Sequence, residues 1–208
     1  MRVGRQLLIR PAWVETQVQP DDVMIVLDPG MAFGTGTHPT TQLCLELMEK
    51  AIADTRLSNN EIRVIDVGCG SGILSIAALK LGATSALGVD IDAGSILNAR
   101  ENANTNQVGE ELILGVGSVQ EILEGKFAFH KAPLVVANIL APVIIRLFEA
   151  GLAELMEEDG AILLSGILQE QAQNVIEAAQ AQGLRMNERR QMGDWVALRM
   201  SHAARQSS

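Results

Sequence analysis

The strongest constraint on the fold is an alternation that begins near residue 63. Short apolar runs of strand character are Arg63 to Val67, Ala86 to Val89, Leu112 to Leu114, Leu134 to Ala137 and Ala161 to Leu164. Between them lie helical segments, Ile73 to Leu81, Asp92 to Asn106, Val143 to Met156 and Leu168 to Gln182. Strands joined by helix-length connections cannot form hairpins, so they lie parallel in one sheet with helices on both faces. The last two strand-like runs, Arg185 to Gln191 and Trp195 to Met200, have only Met192-Gly193-Asp194 between them and must be antiparallel. Ahead of the alternation, Arg5 to Ile9 and Val23 to Leu27 read as short strands. A helix from about Pro39 to Ala53 places Leu43, Leu47, Met48 and Ile52 on one face. The fold class is α/β.

A chain of 208 residues, 48% hydrophobic and 20% charged, is enough for one well-buried domain. Its net charge of −9 disfavours a phosphate-backbone binder, which presents clustered Lys and Arg, and suits a basic partner. The cysteines, Cys44 and Cys69, lack CxxC spacing and read as free thiols of a reducing compartment. There is no signal-peptide pattern and no apolar run of ~18 residues. The expectation is a cytoplasmic protein that binds neither membrane nor nucleic acid directly.

In an open α/β sheet, ligands bind beyond the carboxyl ends of the strands, so the residues just after each strand carry the chemistry. The first core strand runs into VIDVGCGSGILS, where Gly68, Gly70 and Gly72 allow a tight turn and a close backbone approach. A nicotinamide fingerprint needs a third glycine where Ile73 stands, and no GK[ST] occurs anywhere, which removes the P-loop. Asp66 precedes the glycines instead, an arrangement that suits a ligand ammonium better than a pyrophosphate. Asp90 ends the next strand 24 residues beyond Asp66, where a carboxylate accepts both hydroxyls of a ribose. Asp92 fits as the cap of the following helix. Gly117-Ser118-Val119 offers an adenine edge contact through Ser118, and Asn138 ends the fourth strand. A ribose, an adenine and an amino-acid ammonium together describe S-adenosylmethionine. No metal site is read from the sequence.

The stretches LDPGMAFGTGTHPTT, VIDVGCGSGILSIAALKLGA, GVDID, VVANILA and LLSGIL closely resemble the ribosomal protein L-eleven methyltransferase (PrmA) family, from about Leu7 to Leu198. The resemblance implies a class I methyltransferase, a Rossmann-like fold of seven mostly parallel strands with the last antiparallel. It implies transfer of methyl groups to the α-amine and particular lysine amines of a basic ribosomal protein. It also implies that Thr41, Gly68, Asp90 and Asn138 touch the cofactor, with Gly34-Thr35-Gly36 closing over it as a lid and carboxylate clamp. Family members carry a small α+β domain ahead of the catalytic part that grips the substrate protein, and Met1 falls about where their linker ends. Residues 1–30 are therefore read as strands with a linker remnant, 31–200 as the methyltransferase domain and 201–208 as a loose tail. Cofactor binding is expected in this chain. The same core also serves a second class, N-methyltransferases for another protein or a small-molecule amine.

Methyl transfer is an in-line displacement that needs a neutral amine. Deprotonation at neutral pH costs about 4–5 kcal/mol for a lysine and about 1 kcal/mol for an α-amine. The cofactor-binding set is then Thr41, Asp66, Gly68, Gly70, Asp90, Ser118 and Asn138, with Asn138 also orienting the amine as the catalytic residue. His38 reads as a structural hydrogen-bonding residue, Cys69 as a small apolar filler, and Trp13 and Trp195 as packing anchors, Trp195 also bordering the substrate mouth.

Overall fold

The computed structural model describes residues 1–11, 13–27, 38–56 and 61–203. In chain order the elements are β1 (Arg2–Val3), β2 (Leu7–Arg10), β3 (Val23–Val26), α1 (Pro39–Arg56), β4 (Arg63–Val67), α2 (Ile73–Lys80), β5 (Ser85–Asp90) and α3 (Ala93–Thr105). They continue as β6 (Leu112–Val116), α4 (Val119–Leu123), β7 (Ala132–Asn138), α5 (Ala141–Glu149), β8 (Met156–Leu168), α6 (Ala172–Ala181), β9 (Leu184–Met192) and β10 (Trp195–His202). Single turns of tighter helix cover Leu152–Leu155 and Gln169–Gln171.

The main sheet has seven strands in the order β6-β5-β4-β7-β8-β10-β9. From β4 the chain steps outward through β5 to β6, then returns to place β7 on the other side of β4. The order reverses between β4 and β7, which pair in parallel through Ile65↔Val135 and Asp66↔Val136. That is the switch point at which such sheets open a crevice. β10 runs antiparallel to both β8 and β9, as the short Met192-Gly193-Asp194 connection demands.

Side chains alternate across the sheet with the period of two that a pleated strand imposes. Val64, Ala86, Leu134, Val136 and Leu163 join the core beneath α1 and α2, while Ile65, Leu87, Val135, Ile162 and Leu164 join the core beneath α4, α5 and α6. Each fully buried Leu or Ile contributes roughly 1.5–3 kcal/mol. Helix α2 is apolar all round because it packs against the sheet, α1 and β3 at once. The N-terminal strands form a second sheet, with β2 antiparallel to β1 and parallel to β3. It is fastened to α1 by Glu49, whose carboxylate accepts the N–H groups of Arg5 and Gln6, each at 2.7 Å.

Several boundaries differ from those read in the sequence. β8 extends from Met156 to Leu168, with its polar Glu157-Glu158-Asp159 start in an irregularity where the β7 register passes from Met156 to Ala161. Its far end is paired with β10 up to Trp195↔Leu168, and the helix expected from Leu168 begins only at Ala172. The helix expected over Val143 to Met156 ends at Glu149, where Gly151 takes φ +100° and turns the chain. Helix α4 has five residues, too few to show a period. β10 continues through His202, two residues into the stretch read as a tail.

Candidate functional site

A cleft of about 570 Å³ opens at the carboxyl edge of the sheet, over the switch point between β4 and β7. Its first wall is the turn after β4. The N–H groups of Gly68 and Cys69 both donate to the Val89 carbonyl, at 2.8 and 3.0 Å, which folds the turn back over β5. Gly68, Gly70 and Gly72 all take positive φ. The Gly70 N–H donates to Asp90 Oδ2 and the Asp92 N–H to Asp90 Oδ1, each at 3.0 Å. Two backbone donors thus fix the Asp90 carboxylate, and its remaining lone pairs can accept from ligand hydroxyls. Asp92 caps α3 as the sequence indicated, accepting from the Gly94 and Ser95 N–H groups, and these bonds hold its carboxyl below the usual range.

The opposite wall is a corner where three distant segments meet. Asn138 Nδ2 donates to Thr41 Oγ1 at 3.3 Å. The Ile139 N–H donates to the Ser165 carbonyl at 3.1 Å, and Ser165 Oγ donates to the Thr40 carbonyl at 2.8 Å. Gly166 takes φ +84°, and a Cβ there would sit 2.3 Å from the Ile139 carbonyl oxygen. Only glycine permits this approach of the two backbones. His38 precedes α1 as a cap: its Nδ1 accepts the Thr40 N–H at 3.3 Å and lies 2.8 Å from Thr40 Oγ1. Its ring meets Trp195 edge-on, with centroids 4.9 Å apart. Trp195 reaches the cleft because antiparallel β10 starts where parallel β8 ends, at Trp195↔Leu168.

Among the described lining residues Asp90 is the one carboxylate, and no Lys or Arg is present. Such a site suits a cationic ligand rich in hydroxyls and does not suit a phosphate. Among the described residues no group of His, Cys, Asp and Glu is arranged to hold a metal ion.

A family model described as ribosomal protein L11 methyltransferase (PrmA) matches residues 1–203. This chain belongs to that family. The L11 methyltransferase of Exiguobacterium sp. is 44% identical over 198 residues, which are 95% of this chain and 60% of that protein. That of Mannheimia succiniciproducens is 49% identical over 181 residues, 87% of this chain and 57% of that protein. The chain therefore spans about three-fifths of the length of these curated relatives. A ribosomal protein L11 methylase from Lactobacillus delbrueckii subsp. bulgaricus, solved by crystallography, is 34% identical, with a TM-score of 0.79 over 97% of this chain and 96% of that one. A precorrin-6y C5,15-methyltransferase from Geobacter metallireducens shares the fold alone, at 14% identity and a TM-score of 0.59 over 76% of this chain and 87% of that one.

The PrmA family is of the S-adenosylmethionine-dependent class. The residues present fit that cofactor. Among the described residues, the one lining carboxylate is held in place to suit a ribose, the glycine turn admits close approach, and the lining carries no Lys or Arg to oppose a sulfonium. Thr41, Gly68, Gly70, Asp90, Ser118 and Asn138 all line the cleft. Ser118 does so while closing a capping box with Glu121, whose carboxylate takes the Ser118 N–H at 2.9 Å.

Asp66 stands apart from the other candidate residues. Its side chain is wholly buried and is not among those lining the cleft. Oδ2 accepts from the Ser75 N–H at 3.2 Å and from Ser75 Oγ at 2.7 Å, while Oδ1 has no protein partner among the described residues. Burial pushes its carboxyl up from 3.8 to about 6, against the Ser75 bonds and with help from the charge of Asp90. Burial likewise raises the thiols of Cys44 and Cys69, which agrees with the reading of Cys69 as a small apolar filler. The segment Gly34-Thr35-Gly36, expected to be a lid, lies outside the described residues. Ser165 and Gly166 build this corner without being among the residues read from the sequence. The signal was a glycine interrupting an apolar strand in LLSGIL, which marks close backbone approach.

Proposed function

We propose that this chain methylates amine nitrogens of ribosomal protein L11, the α-amine and lysine side chains alike, with S-adenosylmethionine as donor. The observation that carries the proposal is the Asn138 corner. The bond from Nδ2 to Thr41 orients the amide, so that its carbonyl oxygen is the atom offered to an incoming N–H. Bound S-adenosylmethionine supplies an electrophilic methyl group on sulfur. Asp90 holds the ribose end, and the Thr41 hydroxyl at the start of α1 holds the methionyl end, where the positive end of the helix dipole favours a carboxylate. The orphan oxygen of Asp66 adds a negative field beneath the glycine turn that favours the cofactor's ammonium.

The amine enters along Leu140, Val143 and Leu147 of α5 and its cap, with Trp195 across the mouth. An apolar wall disfavours the ammonium form and so lowers the amine pKa, which supplies the neutral nucleophile without a dedicated base. His38 is ill-suited to act as one, because Nδ1 already serves Thr40. Transfer to a neutral amine would form the N–C bond as the C–S bond breaks, giving a neutral thioether and an alkylammonium that sheds one of its own protons to solvent. The resulting monomethyl or dimethyl amine is a nucleophile for a further round. A basic ribosomal protein suits a chain of net charge −9 working in the cytoplasm.

Intact-mass measurement of purified ribosomal protein L11 after incubation with this chain and S-adenosylmethionine tests the proposal. The expected result is mass added in whole methyl increments. Cofactor binding by calorimetry without added mass would move the substrate to another protein or a small-molecule amine.

A further inference from the structure

Helix α3 buries one asparagine and is C-capped by another, where apolar residues would pack more cheaply. Asn102 and Asn106 are 2% and 5% exposed, on the same helical face as the buried Ile96, Ala99 and Ala103. Asparagine is a poor helix former, and a buried amide is costly unless its hydrogen bonds are met. Both amide nitrogens donate to backbone carbonyls, in two separate parts of the molecule.

Asn106 Oδ1 accepts the Val26 N–H at 2.8 Å, and Asn106 Nδ2 donates to the Val26 carbonyl at 2.6 Å. The side chain thereby acts as one more rung for the outer edge of β3, on the side away from β2. Asn106 Nδ2 also donates to the Asn102 carbonyl at 2.8 Å. Asn102 Nδ2 in turn donates to the Ser71 carbonyl at 2.9 Å and to Asn98 Oδ1 at 3.2 Å. Ser71 sits in the glycine turn between Gly70, which binds Asp90, and Gly72, whose missing Cβ would lie 2.9 Å from the Cβ of Ala99. One face of α3 therefore grips β3 at one end and the cofactor turn at the other.

We infer that Asn102 and Asn106 are positioning residues that couple the docking of the N-terminal sheet to the shape of the cofactor turn. Neither amide lines the cleft. Apolar residues would stabilise α3 as well, but would remove the Asn102 donation to the Ser71 carbonyl and the pair of bonds that ties Val26 of β3 to α3. The inference rests on the cofactor assignment only for its binding readout.

The test uses the full chain with Asn102→Ala, Asn106→Ala and the double variant. Three quantities are read: affinity for S-adenosylmethionine by calorimetry, amide exchange at Gly70–Gly72 without ligand, and the thermal midpoint. Asn106→Ala is expected to weaken cofactor binding by about 3- to 10-fold and to speed exchange in the turn. The double variant is expected to be no worse than the stronger single, as coupled residues behave. Val175→Ala on α6 is the control for stability loss alone, expected to lower the midpoint without moving either other readout. Should Asn106→Ala not fold, Asn106→Asp keeps the acceptor for the Val26 N–H and removes both donations, and the same changes are expected. A lowered midpoint with affinity within twofold and unchanged exchange would overturn the coupling. Failure of the unsubstituted chain to bind S-adenosylmethionine would count against the cofactor assignment instead, and the exchange measurement would still decide the coupling.

Discussion

Ser165, at the carboxyl end of β8, donates its hydroxyl hydrogen to the carbonyl of Thr40 in the first turn of α1, at 2.8 Å and across 125 positions of sequence. Both residues are buried. The bond sets where α1 begins relative to the sheet, and with it the position of Thr41 against Asn138. Ser165→Ala is expected to cost about 1–2 kcal/mol of stability and to reduce turnover by more than it reduces cofactor affinity. Chemical denaturation and single-turnover methylation together check this. Equal losses in affinity and turnover would mean that Ser165 supports the fold without aligning the corner.

Asn138→Ala tests the orienting role directly. Cofactor affinity should stay within a modest factor, since backbone groups and Asp90 remain, while turnover falls. Single-turnover rates at saturating cofactor measure the difference, and an unchanged rate would remove Asn138 from the chemistry.

Asp90→Ala should act oppositely. It removes an acceptor fixed by two backbone donors, and cofactor binding is expected to weaken by about 1.5–3 kcal/mol, read by calorimetry. Binding at the original strength would dismiss the ribose assignment.

Asp66 yields a pH prediction. Its carboxyl titrates at about 6 in the fold against 3.8 as an ordinary group, so the native state binds its proton more tightly than the unfolded chain does. Below about pH 4 the group is neutral in both states and costs nothing. As pH rises through 6, the native state carries a buried charge and loses stability. Asp66→Asn keeps an acceptor for Ser75 and removes that charge. The variant should therefore be more stable than the parent at pH 7, by about 1–3 kcal/mol, with the gap closing towards pH 4. Thermal midpoints across that range without ligand give the comparison. A weaker affinity for S-adenosylmethionine in the same variant would show that the cofactor benefits from the charge that folding tolerates.

The parts of this molecule that were legible in its sequence are those governed by local rules. The alternation of strand and helix, the β9–β10 turn, the cap at Asp92 and the glycine turn each follow from residues close in the chain. Asp90 was legible because a strand-end carboxylate has a fixed place in an α/β sheet. Asp66 was legible as an acid beside the glycines, but not as a buried one, because its depth depends on Ser75 and α2 packing over it. Gly166 was legible only as a glycine interrupting an apolar strand, and Ser165 and the amides of α3 were not legible as site-building residues. Their partners, Thr40, Ile139, Val26 and Ser71, are backbone atoms brought close by the tertiary fold, and a backbone atom leaves no mark in the sequence.

Because β10 starts beside the cleft and runs antiparallel to β8, pairing Trp195 with Leu168 at one end and Met200 with Ile162 at the other, the chain departs from the rim of the sheet opposite the cleft. A tag or tether joined after His202 would therefore point away from the opening. The molecule can be anchored to a surface through that end with its cleft facing solution.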